Sequence, residues 1–365
     1  MADLRTNFCG VELDNPFIIG SCPLCYSAEG MAEAVQAGAA AVVTKTIMTQ
    51  AAVNPQPHMV LSGANSLINT EKWADYPAQR WLEREIPRAK DLGVKVLIAN
   101  VKGVDTQETI DLAGAVVQAG ADMVEFSGDN YFDAGALIER TRAMARAISV
   151  PLIVKVKAKW GNTAEIAAQC VEAGADAVTC MDSMGQILRL DVTTARPVVG
   201  GKNGYGWLTG EAMLPFTLQI VNDIARRTRC DLIGMGGITR GRDALEMLQA
   251  GATALGICTA PIIRGLKYIE TLKKDLSDWM DRCGYATIEA ASRAALAVDD
   301  IDGVYPSSGF QFDNSRCTHC GRCVECCPYG ARSLSGEDNL VDGSRCRSCG
   351  LCFSVCPRSA IRMHP

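Results

Sequence analysis

The chain has 365 residues, 48% of them hydrophobic, enough for one large core and a small appendage. Its net charge of −5 is spread without a basic stripe, which argues against nucleic acid as a partner. No apolar run reaches the ~18 residues of a membrane span, and the opening MADLRTNFCG lacks the charged-then-apolar pattern of a secretory signal. A cytoplasmic protein is therefore expected, and its 17 cysteines read as metal ligands before they read as disulfides.

Taken in chain order, the strand candidates are PFIIGS, AVVTKT, KVLIANV, DMVEFSG, PLIVKVK, DAVTCMD, DLIGMGGI and ALGICT, with helical stretches between them. One phrase punctuates the alternation. Gln36-Ala37-Gly38-Ala39, Gln118-Ala119-Gly120-Ala121, Glu172-Ala173-Gly174-Ala175 and Gln249-Ala250-Gly251-Ala252 each close a helix and open an apolar strand. Eight βα units predict a (β/α)8 TIM barrel over residues 1–300. The competing open doubly wound sheet is weakened by the lack of a G-x-G-x-x-G on the first strand.

In a barrel, working residues stand where strands end. Those ends carry Ser21, Lys45, Asn100, Ser127 to Asn130, Lys155, Asp182 with Ser183, Gly236 with Gly237, and Cys258 with Thr259. Gly236-Gly237 and Cys258-Thr259 stand where barrels bind phosphate, although a glycine pair can simply make a tight turn. Lys45 and Lys155 need an anion or an electron-rich ring if they are buried, or else they snorkel to the surface.

After an expected linker at 301–312, residues 313–365 predict a small α+β domain like a bacterial ferredoxin. Cys317, Cys320, Cys323 and Cys327 follow C-x2-C-x2-C-x3-C with Pro328 next, and Cys346, Cys349, Cys352 and Cys356 repeat the run before Pro357. In such runs the fourth cysteine serves the other cluster. One [4Fe–4S] cluster is thus expected on Cys317, Cys320, Cys323 and Cys356, and a second on Cys346, Cys349, Cys352 and Cys327. Zinc knuckles are the alternative, and Cys326 reads as a packed bystander. Two clusters make an electron wire, and a phosphate-bearing redox cofactor in the barrel points to FMN, which converts single electrons to pairs.

NPFIIGS, AVVTKT, VKVK, GYGWLTG, GMGGI and ICTA resemble the dihydroorotate and dihydropyrimidine dehydrogenases over nearly the whole chain. The resemblance implies FMN at the barrel mouth, lined by Gly20, Ser21, Lys45, Thr46, Asn100, Lys155, Ser183, Gly210, Gly236, Gly237, Cys258 and Thr259. It also implies that Asn65 in GANSLIN binds a pyrimidine ring, that the chain forms a homo-oligomer, and that electrons come from a separate NAD(P)H-flavin subunit, while the slightly positive tail suits docking of an acidic ferredoxin as donor.

The resemblance breaks after the fourth strand. Where the family carries a proton-moving cysteine or serine, this chain reads VEFSGDNYFDAG. Ser127 falls at the family's ring-binding asparagine and Asn130 at the acid, and an asparagine donates no proton at neutral pH. Replacement acids are Asp129 and Tyr131 on the same loop, with Asp129 needing a raised pKa. Cys22 and Cys25 form C-x2-C at the end of strand one. They read as a substrate-facing thiol pair, as packing, or as part of a further metal site. Asp182 suggests recognition of a cationic group, and His58 is either an acid in a lid or a surface residue.

The expected activity is reduction of an activated C=C or C=N bond in a small, pyrimidine-like heterocycle, fed through the clusters. Alternatives are a reductive cleavage that needs no thiol acid, or an electron-transfer subunit with no substrate of its own.

Overall fold

The structure is a computed structural model, and it describes residues 1–127, 133–157, 161–297, 310–336 and 338–363. The chain divides into two compact units, Met1–Ala297 and Val298–Pro365.

The first unit is a closed barrel of eight parallel strands, all eight expected from the sequence: β1 (Phe17–Ile19), β2 (Ala41–Val43), β3 (Leu97–Val101), β4 (Met123–Ser127), β5 (Leu152–Val156), β6 (Ala177–Cys180), β7 (Asp231–Met235) and β8 (Ala254–Ile257). Each strand pairs with its sequence neighbours, and β8 closes onto β1 through Leu255↔Phe17, Gly256↔Ile18 and Ile257↔Ile19. The connecting helices include α1 (Ala28–Gln36), α2 (Ile86–Asp91), α3 (Thr106–Gln118), α4 (Ala134–Ala147), α5 (Thr163–Glu172), α6 (Leu214–Arg227), α7 (Gly241–Ala250) and α8 (Tyr268–Cys283). The recurring phrase works as a helix stop: Gly38, Gly120, Gly174 and Gly251 have φ of 107°, 113°, 110° and 131°, where a side chain would be strained.

Side chains alternate along each strand, so every strand feeds two cores. Outward-facing Val42, Ala99, Val124, Phe126, Val154 and Val178 pack under the helices. Inward-facing Ile18, Val43, Ile98, Met123, Ile153, Ala177 and Ile233 fill the lower barrel. The antiparallel hairpin Thr6–Phe8/Val11–Leu13 plugs the bottom with the buried Phe8 and Leu13. Above the apolar layer the inward positions turn polar: Asn100, Glu125, Lys155 and Thr179 are all buried.

The mouth is roofed by a four-stranded antiparallel sheet that the sequence reading did not anticipate. Its order is Met184–Ile187, Gly206–Gly210, Ser66–Asn69, Met59–Leu61. The strands come from the long connections after β2 and β6, joined by pairs such as Thr209↔Leu67.

In the second unit, Phe310–Phe312 pairs with Ile361–Met363 and Arg332–Ser335 with Asp338–Val341. Two short helices, Arg322–Glu325 and Leu351–Ser354, complete an α+β fold. The last three residues of the expected linker are therefore a strand of this unit, because Phe310–Phe312 closes an antiparallel ladder with the tail.

Candidate active site

At the carboxyl ends of the strands lies a cavity of about 450 Å³. Ser21, Lys45, Thr46, Ser127, Lys155, Asp182, Ser183, Gly210, Gly236, Gly237, Cys258 and Thr259 line it, as do Lys72, Trp73, Tyr205 and Trp207 of the mouth. Period-two alternation brings these residues here, since the last inward position of each strand opens upward into the cavity.

The polar layer below the cavity is a connected network. Asn100 donates from its amide to Glu125, and its backbone N–H donates to Thr44 Oγ1 at 3.0 Å. Glu125 accepts from Thr179 Oγ1 at 2.5 Å. Lys155 sits within this field. Burial pulls its ammonium down, but Glu125 and Asp182 outweigh burial and hold it above the ordinary lysine range.

Lys45 pairs with Glu71 at 2.9 Å, and both side chains are largely enclosed. The anion that each buried lysine requires is thus supplied by the chain itself. Asp182 is likewise answered from within, with Lys157 at 3.6 Å and Ser183 N–H donating to it at 2.8 Å. Burial pushes its carboxyl up, but Lys155 and Lys157 win and hold it low. The expectation that Asp182 awaits a cationic group loses its premise, since two lysines already balance the charge.

Several candidates stand elsewhere. Cys25 is fully enclosed at the end of the 3-10 turn Pro23–Cys25 and does not line the cavity, so it has no path to a ligand. Cys22 does line the cavity. Its thiol is pushed up by a hydrogen bond with Cys258 and by burial, while that same bond holds Cys258 low. Asn65 is turned to the protein: its amide donates to Glu211 at 2.8 Å and accepts from Arg264 at 2.5 Å, and Leu67 and Asn69 of the adjoining strand line the cavity instead. Asn100 and Gly20 lie just behind the wall, with a β-carbon on Gly20 falling 2.9 Å from Cys258 Sγ. His58 hydrogen-bonds the Pro55 carbonyl at 3.1 Å and is not part of the lining. Asp129, Asn130 and Tyr131 lie outside the described residues.

The sequence reading missed Glu125, Thr179, Glu71 and Lys157 as site residues. For the first two, the missing signal was alternation within VEFS and AVTC, which puts Glu125 and Thr179 on the inward face.

In the second unit, Cys317, Cys320, Cys323 and Cys356 ring one small void, so three cysteines of the first run meet the last of the second. Among the described residues no three His, Cys, Asp or Glu side chains close around a single ion.

The profile of the dihydroorotate dehydrogenase family matches residues 3–280. The chain belongs to this family. A 4Fe-4S dicluster domain matches residues 310–357. Among similar proteins, the NAD-dependent dihydropyrimidine dehydrogenase subunit PreA of Escherichia coli (strain K12) is 30% identical over 356 residues, covering 89% of this chain and 85% of that one. The catalytic subunit of dihydroorotate dehydrogenase B (NAD(+)) from Methanothermobacter thermautotrophicus is 29% identical over 303 residues, 78% of this chain and 96% of its own. That from Thermoplasma acidophilum is 30% identical over 291 residues, 77% and 95%. As a member of the dihydroorotate dehydrogenase family with a dicluster tail, the chain is a flavin- and iron–sulfur-dependent oxidoreductase.

The barrel mouth fits FMN on its own chemistry. Among the described residues Thr70 Oγ1 at the cavity wall is buried without a hydrogen-bond partner, a polar group open to a ligand, and Asn100 Oδ1 just behind the wall is also unpartnered. The backbone N–H groups of Gly236 and Gly237 bond no acceptor among the described residues, leaving two donors for a phosphate.

Proposed function

We propose that this chain reduces an activated C=C or C=N bond of a small, pyrimidine-like heterocycle at the barrel mouth, using electrons relayed through two [4Fe–4S] clusters. The observation that carries the reading is the cavity whose lining combines a compensated buried lysine, Lys155, with the unbonded N–H pair of Gly236 and Gly237. FMN, when bound, supplies the hydride and joins one-electron to two-electron chemistry.

Gly236 and Gly237 offer N–H donors to its phosphate and Lys155 addresses its ring system, with Asn100 bracing Glu125 from behind the wall and Gly20, Ser21, Thr46, Ser183, Gly210, Cys258 and Thr259 completing the cradle. Glu125 acts on Lys155 from below, keeping the ammonium charged so that it stabilises negative charge developing above it. The roof sheet, with Trp207 on its inner face, excludes water from the reacting bond. Lys72 and Lys202 at the rim form no ion pair among the described residues and suit a substrate with an acidic substituent. The proton comes from the segment that follows Ser127, where Asp129 and Tyr131 are the groups able to give one. An electron donor, a ferredoxin or a separate NAD(P)H-flavin subunit, would feed the dicluster tail.

The test is anaerobic. Holoprotein reduced with dithionite is mixed with a panel of unsaturated heterocycles, including uracil and orotate, and the flavin absorbance is followed. Reoxidation by one ring compound supports the reading, and Asp129→Asn and Tyr131→Phe then identify the acid. Reoxidation only by another protein would overturn it in favour of an electron-transfer subunit.

A further inference from the structure

We infer that Asn339 makes the two [4Fe–4S] sites electronically unequal, by donating a side-chain hydrogen bond to a ligand sulfur of one cluster and none of the other. The inference rests on the two-cluster reading above. Asn339 Nδ2 donates to Cys323 Sγ at 3.2 Å. Its Oδ1 accepts from Arg332 Nη1 at 2.7 Å, and Arg332 is itself only 6% exposed. Both residues lie on the hairpin Arg332–Ser335/Asp338–Val341, where Asn339 pairs with Leu334, so backbone pairing places its Cα and the bonds to Arg332 and Cys323 hold its amide.

Backbone donors nearly match. Cys356 Sγ accepts from Ala360 N–H and Cys327 Sγ from Ala331 N–H, each at 3.3 Å and each four residues on. One further backbone bond, His319 N–H to Cys317 Sγ at 3.4 Å, falls on the cluster that Asn339 serves and adds to its share. Each set has one exposed cysteine, Cys320 and Cys349, and Cys323, the sulfur that Asn339 meets, is the buried one among the eight. The side-chain bond to Cys323 has no counterpart: among the described residues no side-chain donor reaches Cys327, Cys346, Cys349 or Cys352.

Reduction of a [4Fe–4S] cluster adds one electron and neither forms nor breaks a covalent bond, and its added charge spreads onto the sulfurs. A hydrogen bond to a sulfur strengthens as that charge grows, so it favours the reduced state and raises the potential. The Arg332 guanidinium acts in the same direction twice, polarising the Asn339 amide through Oδ1 and adding a buried positive charge close by. The cluster on Cys317, Cys320, Cys323 and Cys356 is therefore where a single electron rests. The cluster on Cys327, Cys346, Cys349 and Cys352 is the stronger reductant.

Redox titration of the holoprotein monitored by EPR tests this. The wild type should hold about eight iron atoms, as two four-iron clusters require, and titrate with two separate midpoints. Asn339→Leu should lower the higher midpoint and leave the lower one in place. The expected size is about a tenfold change in the reduced-to-oxidised ratio, or about 59 mV for one electron. Asn339→His, which keeps an N–H, should restore most of the shift. Unmoved midpoints in an Asn339→Leu variant with full iron overturn the inference. Should that variant lose iron, pulsed EPR of the wild type decides. A nitrogen coupling that changes on 15N labelling of asparagine supports the bond, and its absence overturns it. A wild type holding iron for one cluster only would instead defeat the two-cluster reading on which the inference rests.

Discussion

Glu125 is 1% exposed and Lys155 6%, and replacing Glu125 with glutamine tests the reading of the floor directly. Glutamine keeps the shape and can still accept from Thr179, but the charge is gone. Lys155 is then a buried ammonium whose remaining nearby carboxylate, Asp182, is shared with Lys157. Glu125 and Lys155 form no contact ion pair among the described residues, so the cost of breaking a buried pair, about 3–5 kcal/mol, is the ceiling for losing this field, still a large share of a domain stability of about 5–15 kcal/mol.

The pH dependence should change sign as well. In the wild type Lys155 is held above the ordinary lysine range, so its contribution is full below that range and is lost as pH rises through the folded value. In Glu125→Gln burial dominates and the folded value drops below the unfolded one. Stability is then lowest near neutrality and climbs as the medium becomes alkaline. Urea denaturation followed by tryptophan fluorescence, at about pH 7 and about pH 9.5, just under the unperturbed lysine value of ~10.4, reads both effects. A loss under about 1 kcal/mol at neutral pH, or parallel pH slopes in the two proteins, would refute the compensation argument.

Gly237→Ala should cost about 2 kcal/mol or more, because φ is 102° and the new β-carbon falls 2.5 Å from the backbone of Leu214. A lower Tm with reduced flavin content is expected, and a wild-type Tm would contradict it. Asn100→Ala removes a donor that braces Glu125 beneath the cavity, and FMN affinity measured by fluorescence quenching should fall about tenfold. Oxidative removal of iron should leave residues 310–363 open to proteolysis while the barrel resists. The strands of the tail are three or four residues long, and its core is too small to hold without the clusters.

The eight barrel strands were legible because each is a short apolar run and four of them follow a helix-ending glycine with positive φ, and both signals are local. The cysteine runs were legible for the same reason. The roof sheet was not. Met59–Leu61 and Met184–Ile187 are short, only partly buried strands, and the sheet they edge exists because Ser66–Asn69 pairs with Gly206–Gly210 across distant parts of the chain. Cys25 was misplaced because C-x2-C spacing suggests a shared outlook, whereas the turn at Pro23–Cys25 leaves Cys22 at the cavity and rotates Cys25 into the core. Asn65 was placed by resemblance alone, and its amide is consumed by Glu211 and Arg264. Glu125 was visible as a letter but not as a function, since its importance comes from the inward register that it shares with Asn100 and Thr179.

The roof has a consequence for how such an enzyme changes its chemistry. Two hairpins from opposite sides of the barrel lock together over the cavity, and the floor belongs to the strands themselves. Pairs such as Thr209↔Leu67 hold the two hairpins to each other, so the cover is a unit distinct from the floor beneath it. Side chains that the cover turns toward the cavity, such as Leu67, Asn69 and Trp207, can be exchanged without disturbing Glu125 and Lys155. New specificities can thus arise by substitution in the cover, with the floor inherited unchanged.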